Sequence, residues 1–228
     1  LSIIYGALMA LVQNDIKRLV AYASLSHLGF ILLGIFSLNG NGINGAIIQM
    51  VNHGIIIAGL FLVVAMIEAR TGTRDRRELA GLERRMPVLY VLFLVITLAG
   101  LGLPGMNSFV GEFTIMLGAF AASPILAVLA GVGVTLAAWY MLRLHQGLMH
   151  DPEQPRTELV RDLRVGEGLI LLPLVGLMVF LGFFPRPVSD LAHQSARSYV
   201  NAAQHPQGAN DTASAASCVA GAPTCTVP

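Results

Sequence analysis

Charge is what this sequence has least of. Only 12% of its 228 residues are Asp, Glu, Lys or Arg, against about 25% in a typical soluble domain. Too few charges remain to clothe a water-exposed surface. The 55% hydrophobic content and mean hydropathy of +0.69 point instead to a polytopic membrane protein. Cysteine is nearly absent. The two present, Cys218 and Cys225, lie in a polar tail without CxxC spacing or neighbouring histidines. That argues against a metal site and leaves a disulfide only where the tail faces an oxidising side. The net charge is +1, and no basic patch is interleaved with aromatics, so nucleic acid is not an expected partner. HExxH, GxSxG, P-loop and dinucleotide-binding patterns are missing, and no catalytic residue is assigned. The opening, LSIIYGALMALVQ, has neither Met nor a charged region before its apolar run. It does not look like a signal peptide and reads as the middle of a helix in a longer protein.

What the chain does have is long apolar runs. A membrane-spanning helix needs about 20 mostly apolar residues. Residues 1–13 make a partial segment, and 16–38, 43–67, 87–121, 124–144 and 165–185 make five full ones. The fourth is too long for one plain crossing, which predicts an interrupted helix. The fold class expected is an all-α polytopic membrane protein, with about five full transmembrane helices plus one partial and one helix broken at mid-membrane.

The basic residues fall on one side of these segments. Lys17 and Arg18, six arginines within 68–86, and Arg143, Arg156, Arg161 and Arg164 share one set of loops. The opposite loops, 39–42 and 121–123, carry none, and the tail carries Arg186 and Arg197. By the positive-inside rule the basic loops are cytoplasmic and the C-terminal tail is periplasmic. Residues 1–187 then form the transmembrane domain. The tail, 188–228, is rich in Ala, Gly, Ser and Pro and is expected to be disordered past about residue 200.

Strongly polar side chains are rare inside the runs, and their positions carry the functional signal. In DIKRLVAYASLSHLGF, Lys17, Ser24 and His27 share one helix arc. His27 alone is as well explained by a core histidine bonded to a carbonyl. In IIQMVNHGIIIAGLF, Gln49, Asn52 and His53 recur at i, i+3 and i+4, a polar stripe that suits interhelical hydrogen bonding as well as proton relay. Gly54, Ala58 and Gly59 would let a neighbouring helix approach. Between two apolar stretches stands LPGMNSFVGEF, residues 103–113. Pro104 removes a backbone donor, and Gly102 and Gly105 loosen the chain around it. Asn107 or Ser108 would cap the helix that restarts. Glu112 is the one acid deep in any run. A charge at a helix centre costs about 2.5–3.5 kcal/mol on insertion scales, and such residues commonly mark ion or proton pathways. A structural acid paired with a lysine is the competing explanation, but no lysine of this chain lies at that depth. With His27 and His53, Glu112 can support a water-wired proton relay.

DIKRLVAYASLSHLGF, GAIIQMVNHGIIIAGLFLV and LGLPGMNSFVGEF together closely resemble the antiporter-like membrane subunits of proton-pumping NADH:quinone oxidoreductase, respiratory complex I. They look most like the subunit M branch, the mitochondrial subunit 4 type, over about residues 1–187. The resemblance implies fourteen transmembrane helices in two inverted five-helix repeats, of which this chain carries part of helix 9 and helices 10 to 14. The interrupted segment would be helix 12, with Glu112 its proton-exchange carboxylate. Glu in VGEF, where the sister subunits L and N typically have Lys, favours M. His27 and His53 would match the histidines of helices 10 and 11. His145, in MLRLHQ, falls near a helix 13 histidine, although its place at the end of its segment suits a surface role equally. The family's Glu–Lys pair and central lysine belong to helices outside this sequence; Lys17 stands at the cytoplasmic mouth instead.

The resemblance implies a proton-translocating subunit in a bacterial inner membrane, beside the L and N subunits and lipid. It implies no cofactor in this chain, since NADH, FMN, iron–sulfur clusters and quinone would be held by partner subunits. Two alternatives stand beside it: a subunit of a multi-subunit cation/proton antiporter or membrane-bound hydrogenase, and a structural fragment that assembles without conducting.

Overall fold

The structure, a computed structural model, describes residues 1–190 apart from 153, 155, 156, 158 and 159. The expectations for the tail past residue 190, including Cys218 and Cys225, lie outside the described residues. Among the described residues seven α-helices follow one another: α1 (Ser2–Val12), α2 (Ile16–Phe36), α3 (Gly40–Thr71), α4 (Pro87–Gly100), α5 (Asn107–Ala122), α6 (Pro124–Met149) and α7 (Val165–Phe183). Two 3-10 turns, Arg76–Glu78 and Leu82–Arg84, lie between α3 and α4.

Helices α2, α3, α6 and α7 are each long and apolar enough to cross a membrane. Helices α4 and α5 have 14 and 16 residues. At 1.5 Å per residue each rises only ~21–24 Å, short of a hydrocarbon core of about 30 Å. They can cross only as a pair, which is the interrupted segment expected from 87–121. The bundle turns apolar side chains outward: Leu28, Leu32, Phe113, Phe120, Trp139, Leu172 and Phe180 are all exposed. In lipid that surface is solvated by acyl chains.

Two helices outrun their apolar segments. Helix α3 has 32 residues, about 48 Å long, because both ends are capped beyond the hydrophobic stretch. The Asn39 side chain accepts from the Gly42 amide at 2.9 Å, and Gly72 closes the far end with φ of 70°. The polar last turn, Glu68–Thr71, is thus helix rather than loop. Helix α6 likewise continues past 144 to Met149, so Arg143 and His145 belong to it.

The basic ends of the helices are stitched together. Asp15 caps α2, its carboxylate accepting from the amides of Lys17 (2.8 Å) and Arg18 (3.1 Å). Asp15 and Asp75 form an isolated antiparallel bridge. Met86 precedes α4 without capping it; Asp162, far along the chain, accepts from the amides of Val88 at 2.9 Å and Leu89 at 3.4 Å instead. Arg70 on α3 pairs with Glu167 in the first turn of α7. The loop residues Leu79, Leu82 and Met86 are fully buried, so the loop seals this end of the core.

The α3–α5 contact is the most extensive in the bundle. It is made by small residues, but not by those singled out above. Gly54 meets nothing within 4 Å, Ala58 is exposed, and Gly59 faces the side chains of Met178 and Ile96. The close approach lies nearer the start of α3. A Cβ on Gly45 would stand 2.7 Å from the Ile115 amide nitrogen, and one on Gly118 would run into the Gly42 backbone. Neither obstacle can swing aside as a side chain would. Gly45→Val should therefore cost about 1–3 kcal/mol through overpacking. It should appear as a lower unfolding midpoint in detergent, while Gly54→Ala leaves the midpoint unchanged or raised.

Candidate functional site

The fold brings polar groups from four helices together inside the bundle. Glu112 on α5 is 5% exposed, and it is the only buried acid among the described residues. Helical side chains point back toward the helix start, so its carboxyl reaches one turn down to Ser108, whose hydroxyl donates to Oε1 at 2.8 Å. Gln49 on α3 donates to the same oxygen through Nε2 at 3.3 Å and to Ser108 Oγ at 2.9 Å. His27 on α2 places Nδ1 3.3 Å from it. Oε2 lies against Gly102, where a Cβ would collide with it.

From His27 the contacts run on. Its Nε2 lies 3.2 Å from the hydroxyl of Tyr140 on α6. Its ring centroid is 5.7 Å from that of His53 on α3. His53 Nε2 is 3.0 Å from the hydroxyl of Ser24, one turn before His27. One consistent tautomer of His27 donates from Nδ1 to the carboxylate and accepts the Tyr140 proton at Nε2. Such an imidazole gives a proton on one side and takes one on the other.

The helix break stands beside this cluster because the chain cannot continue as helix through 101–106. Gly102 and Gly105 have φ of 68° and 94°, the left-handed region that costs other residues, and Pro104 lies between them. The Met106 amide donates to Leu103 O at 2.9 Å and the Leu103 amide to Leu98 O at 3.3 Å. Irregular backbone at membrane depth persists where such groups are satisfied or face a wet cavity. Helix α7 covers the break: a Cβ on Gly182 would strike the Gly105 carbonyl.

Asn107 does not cap α5 as expected. The cap position is Met106, with no side-chain bond, and Asn107 is the first helical residue. It is fully buried and turned toward α3: its Nδ2 donates to Asn52 Oδ1 at 3.3 Å, and Asn52 Nδ2 donates to Asn107 O at 2.7 Å. Burial between helices decided this, since an amide side chain there needs a partner more than the helix end needs a cap. Ser108, the other candidate cap, holds Glu112 instead. Gln49 Oε1 and Asn107 Oδ1 remain buried acceptors without a partner among the described residues.

Lys17 is exposed and joins none of these contacts; the shared arc of α2 runs from membrane mouth to interior, and only Ser24 and His27 lie deep enough. His145 also stands apart, but it is not a surface residue. It is 3% exposed, with Nδ1 3.5 Å from the Thr97 hydroxyl and its ring beside Tyr90, Phe93 and His150. Tyr140 is the member that sequence reasoning passed over. A tyrosine in an apolar helix looks like any core aromatic, and the one available signal was that its hydroxyl requires a partner once buried.

The NADH:quinone oxidoreductase/Mrp antiporter transmembrane family matches residues 1–137. NADH-quinone oxidoreductase subunit M of Rickettsia bellii is 38% identical over 197 residues, 86% of this chain and 40% of that protein. Among solved structures, one chain of respiratory complex I from Thermus thermophilus with bound NADH superposes with a TM-score of 0.82 at 36% identity, covering 88% of this chain and 42% of that one. A chain of the Mrp complex from Dietzia sp. DQ12-45-1b shares the fold with a TM-score of 0.80 at 21% identity over 88% of this chain and 46% of that one. This chain thus spans about two-fifths of the length of the curated relative. With more than half of its residues matched, the chain belongs to the NADH:quinone oxidoreductase/Mrp antiporter transmembrane family.

Proposed function

We propose that the chain is the C-terminal, proton-exchanging part of a proton-translocating subunit of NADH:quinone oxidoreductase, of the subunit M type. One observation carries this reading: Glu112, buried beside a broken helix, is held by donors from α2, α3 and α5 and contacts His27 Nδ1 at 3.3 Å. Glu112 is the group that takes and releases the proton. His27 passes it, with Tyr140 on its far nitrogen and His53 beside its ring. Ser24 and Gln49 hold the relay, and the unpartnered acceptors Gln49 Oε1 and Asn107 Oδ1 are ready partners for water. The Asn52–Asn107 pair and the break at Pro104 and Gly105 hold the entrance of α5 against α3. The redox chemistry, with NADH, FMN, iron–sulfur clusters and quinone, belongs to partner subunits, and L and N type subunits are the neighbours in the membrane. The basic end of the bundle faces the cytoplasm of a bacterial inner membrane, and the tail faces the periplasm.

The Mrp-complex fold match keeps a second reading in view, a subunit of a cation/proton antiporter. The two separate by the driving reaction: quinone reduction in the first, exchange against a second cation in the second.

In the assembled complex, Glu112→Gln should lower proton pumping and the electron transfer coupled to it by about tenfold or more, since the amide cannot exchange a proton. Glu112→Asp should be milder. Native-gel assembly and vesicle pumping, measured on the same variant, separate chemistry from folding. Full pumping by an assembled Glu112→Gln complex would remove Glu112 from the path. Tyr140→Phe keeps the ring and loses one hydrogen bond, worth about 1 kcal/mol. It should slow pumping several-fold, leaving assembly intact.

Orientation is checked by chemical labelling. With Cys218 and Cys225 changed to Ser, a cysteine at the exposed position Arg77 should resist an impermeant thiol reagent in intact cells. It should react in inside-out membranes. The opposite pattern would invert the assignment.

A further inference from the structure

A cavity of about 400 Å³ opens where the end of α3 meets the start of α7, lined by Ala69, Arg70, Arg161, Asp162, Arg164 and Glu167. Three guanidiniums face two carboxylates there, and both carboxylates are already engaged. Asp162 accepts from the amides of Val88, Leu89 and Leu163. Glu167 accepts from the Arg164 amide at 2.8 Å and pairs with Arg70. Arg70 is held in place: its Nε donates to Arg161 O at 3.1 Å and its Nη1 to Met66 O at 2.9 Å, so one N–H on each terminal nitrogen is left over. The side chains of Arg161 and Arg164 are exposed and have no ion pair among the described residues. The cavity thus presents excess positive charge, in the planar donor geometry that suits a phosphate.

Its position decides between a dissolved anion and a lipid. Helix α7, apolar enough to cross a membrane, begins at Val165, directly after Arg164. The cavity therefore sits at the boundary of the apolar layer. On the Glu167 face of α7, Ile170 and Leu177 follow one and three turns on, and both are exposed. On α3, Ala69 lines the cavity, and Ala65, one turn back, is exposed. An apolar surface thus runs inward from the guanidiniums. Helix α7 needs such a covering, since Leu171, Val175, Met178 and Leu181 are its only buried residues among those described.

We propose that this cavity binds the phosphate of an anionic phospholipid, with Arg70, Arg161 and Arg164 on the headgroup and an acyl chain along Ile170 and Leu177. Basic pockets between helices are suited to such headgroups. The bound lipid joins α3 to α7 across the cavity. The assignment is independent of the role of Glu112.

The test is made on the complete complex in vesicles of equal phosphatidylglycerol and phosphatidylcholine. A photoreactive phenylalanine derivative replaces Ile170, whose side chain leans back toward the cavity, and the crosslinked lipid is identified by mass spectrometry. Phosphatidylglycerol should be enriched about fivefold or more over phosphatidylcholine. Arg161→Gln and Arg164→Gln should each lower that enrichment by up to about fivefold, the range for one basic residue near an anionic membrane. Arg161→Lys and Arg164→Lys, which keep the charge, should lower it less. Either single Gln variant carries the test if the other fails to assemble. Equal yields of the two lipids, or an enrichment unchanged in both Gln variants, overturns the proposal. So does an enrichment abolished by excess inorganic phosphate, which marks a site for a dissolved anion, or crosslinking to a polypeptide instead of lipid, which marks a subunit contact.

Discussion

One buried oxygen atom organises the interior of this bundle. Glu112 Oε1 is shared by donors from its own helix, from α3 and from α2. A carboxyl without partners in a low-dielectric interior is costly by several kcal/mol. Ser108, Gln49 and His27 must therefore converge within hydrogen-bonding reach, and that convergence fixes how three helices meet. The small residues of the α3–α5 seam follow from it. Gly111 leaves room for the Gln49 side chain, and Gly45 and Gly118 let the backbones close at the far end. Gly102, with its left-handed backbone, is the only kind of residue that leaves space for Oε2 at the helix break.

The basic end obeys a different rule. There the connections are polar and the helices are held by caps and crossings: Asp15 on α2, Asp162 on α4, and Arg70 of α3 with Glu167 of α7. Arg143 reaches back to the carbonyl of Leu11, and Arg76 to that of Arg143. Many of the arginines that mark this end in the sequence are thus structural fasteners as well as topological signals. Surface ion pairs contribute little one at a time, but the guanidinium bonds to the carbonyls of Leu11 and Arg143 tie α1, α6 and the first 3-10 turn to one another.

Much of this was legible in the residues themselves. The break was readable because Pro and Gly change backbone behaviour wherever they stand. Glu112, His27 and His53 stood out because polar groups are rare in apolar runs. What escaped notice depended on three-dimensional neighbours. Asn107 looked like a cap until α3 supplied Asn52 as a better partner. Gly54 and Gly59 looked like the contact seam, but a spacing of small residues does not say which face of α3 meets α5. Helices α3 and α6 run past the apolar segments 43–67 and 124–144, because caps and polar turns extend a helix beyond the stretch that hydropathy marks. Tyr140 was invisible because its significance lies in an atom it touches 113 residues away.

The two oxygens of Glu112 are not equivalent. Oε1 is engaged by the surrounding donors, whereas Oε2 faces the glycine backbone of the break. Ser108, Gln49 and His27 are thus set around the one oxygen that His27 can reach. On the proposed role of Glu112 as a proton carrier, donors already in place keep the reorganisation energy small. That is the condition under which fixed dipoles assist a charge change most effectively. The glycine at 102 supplies more than room for a bend: any side chain there would displace the second oxygen of the carboxyl, so the same residue that breaks the helix also seats the acid.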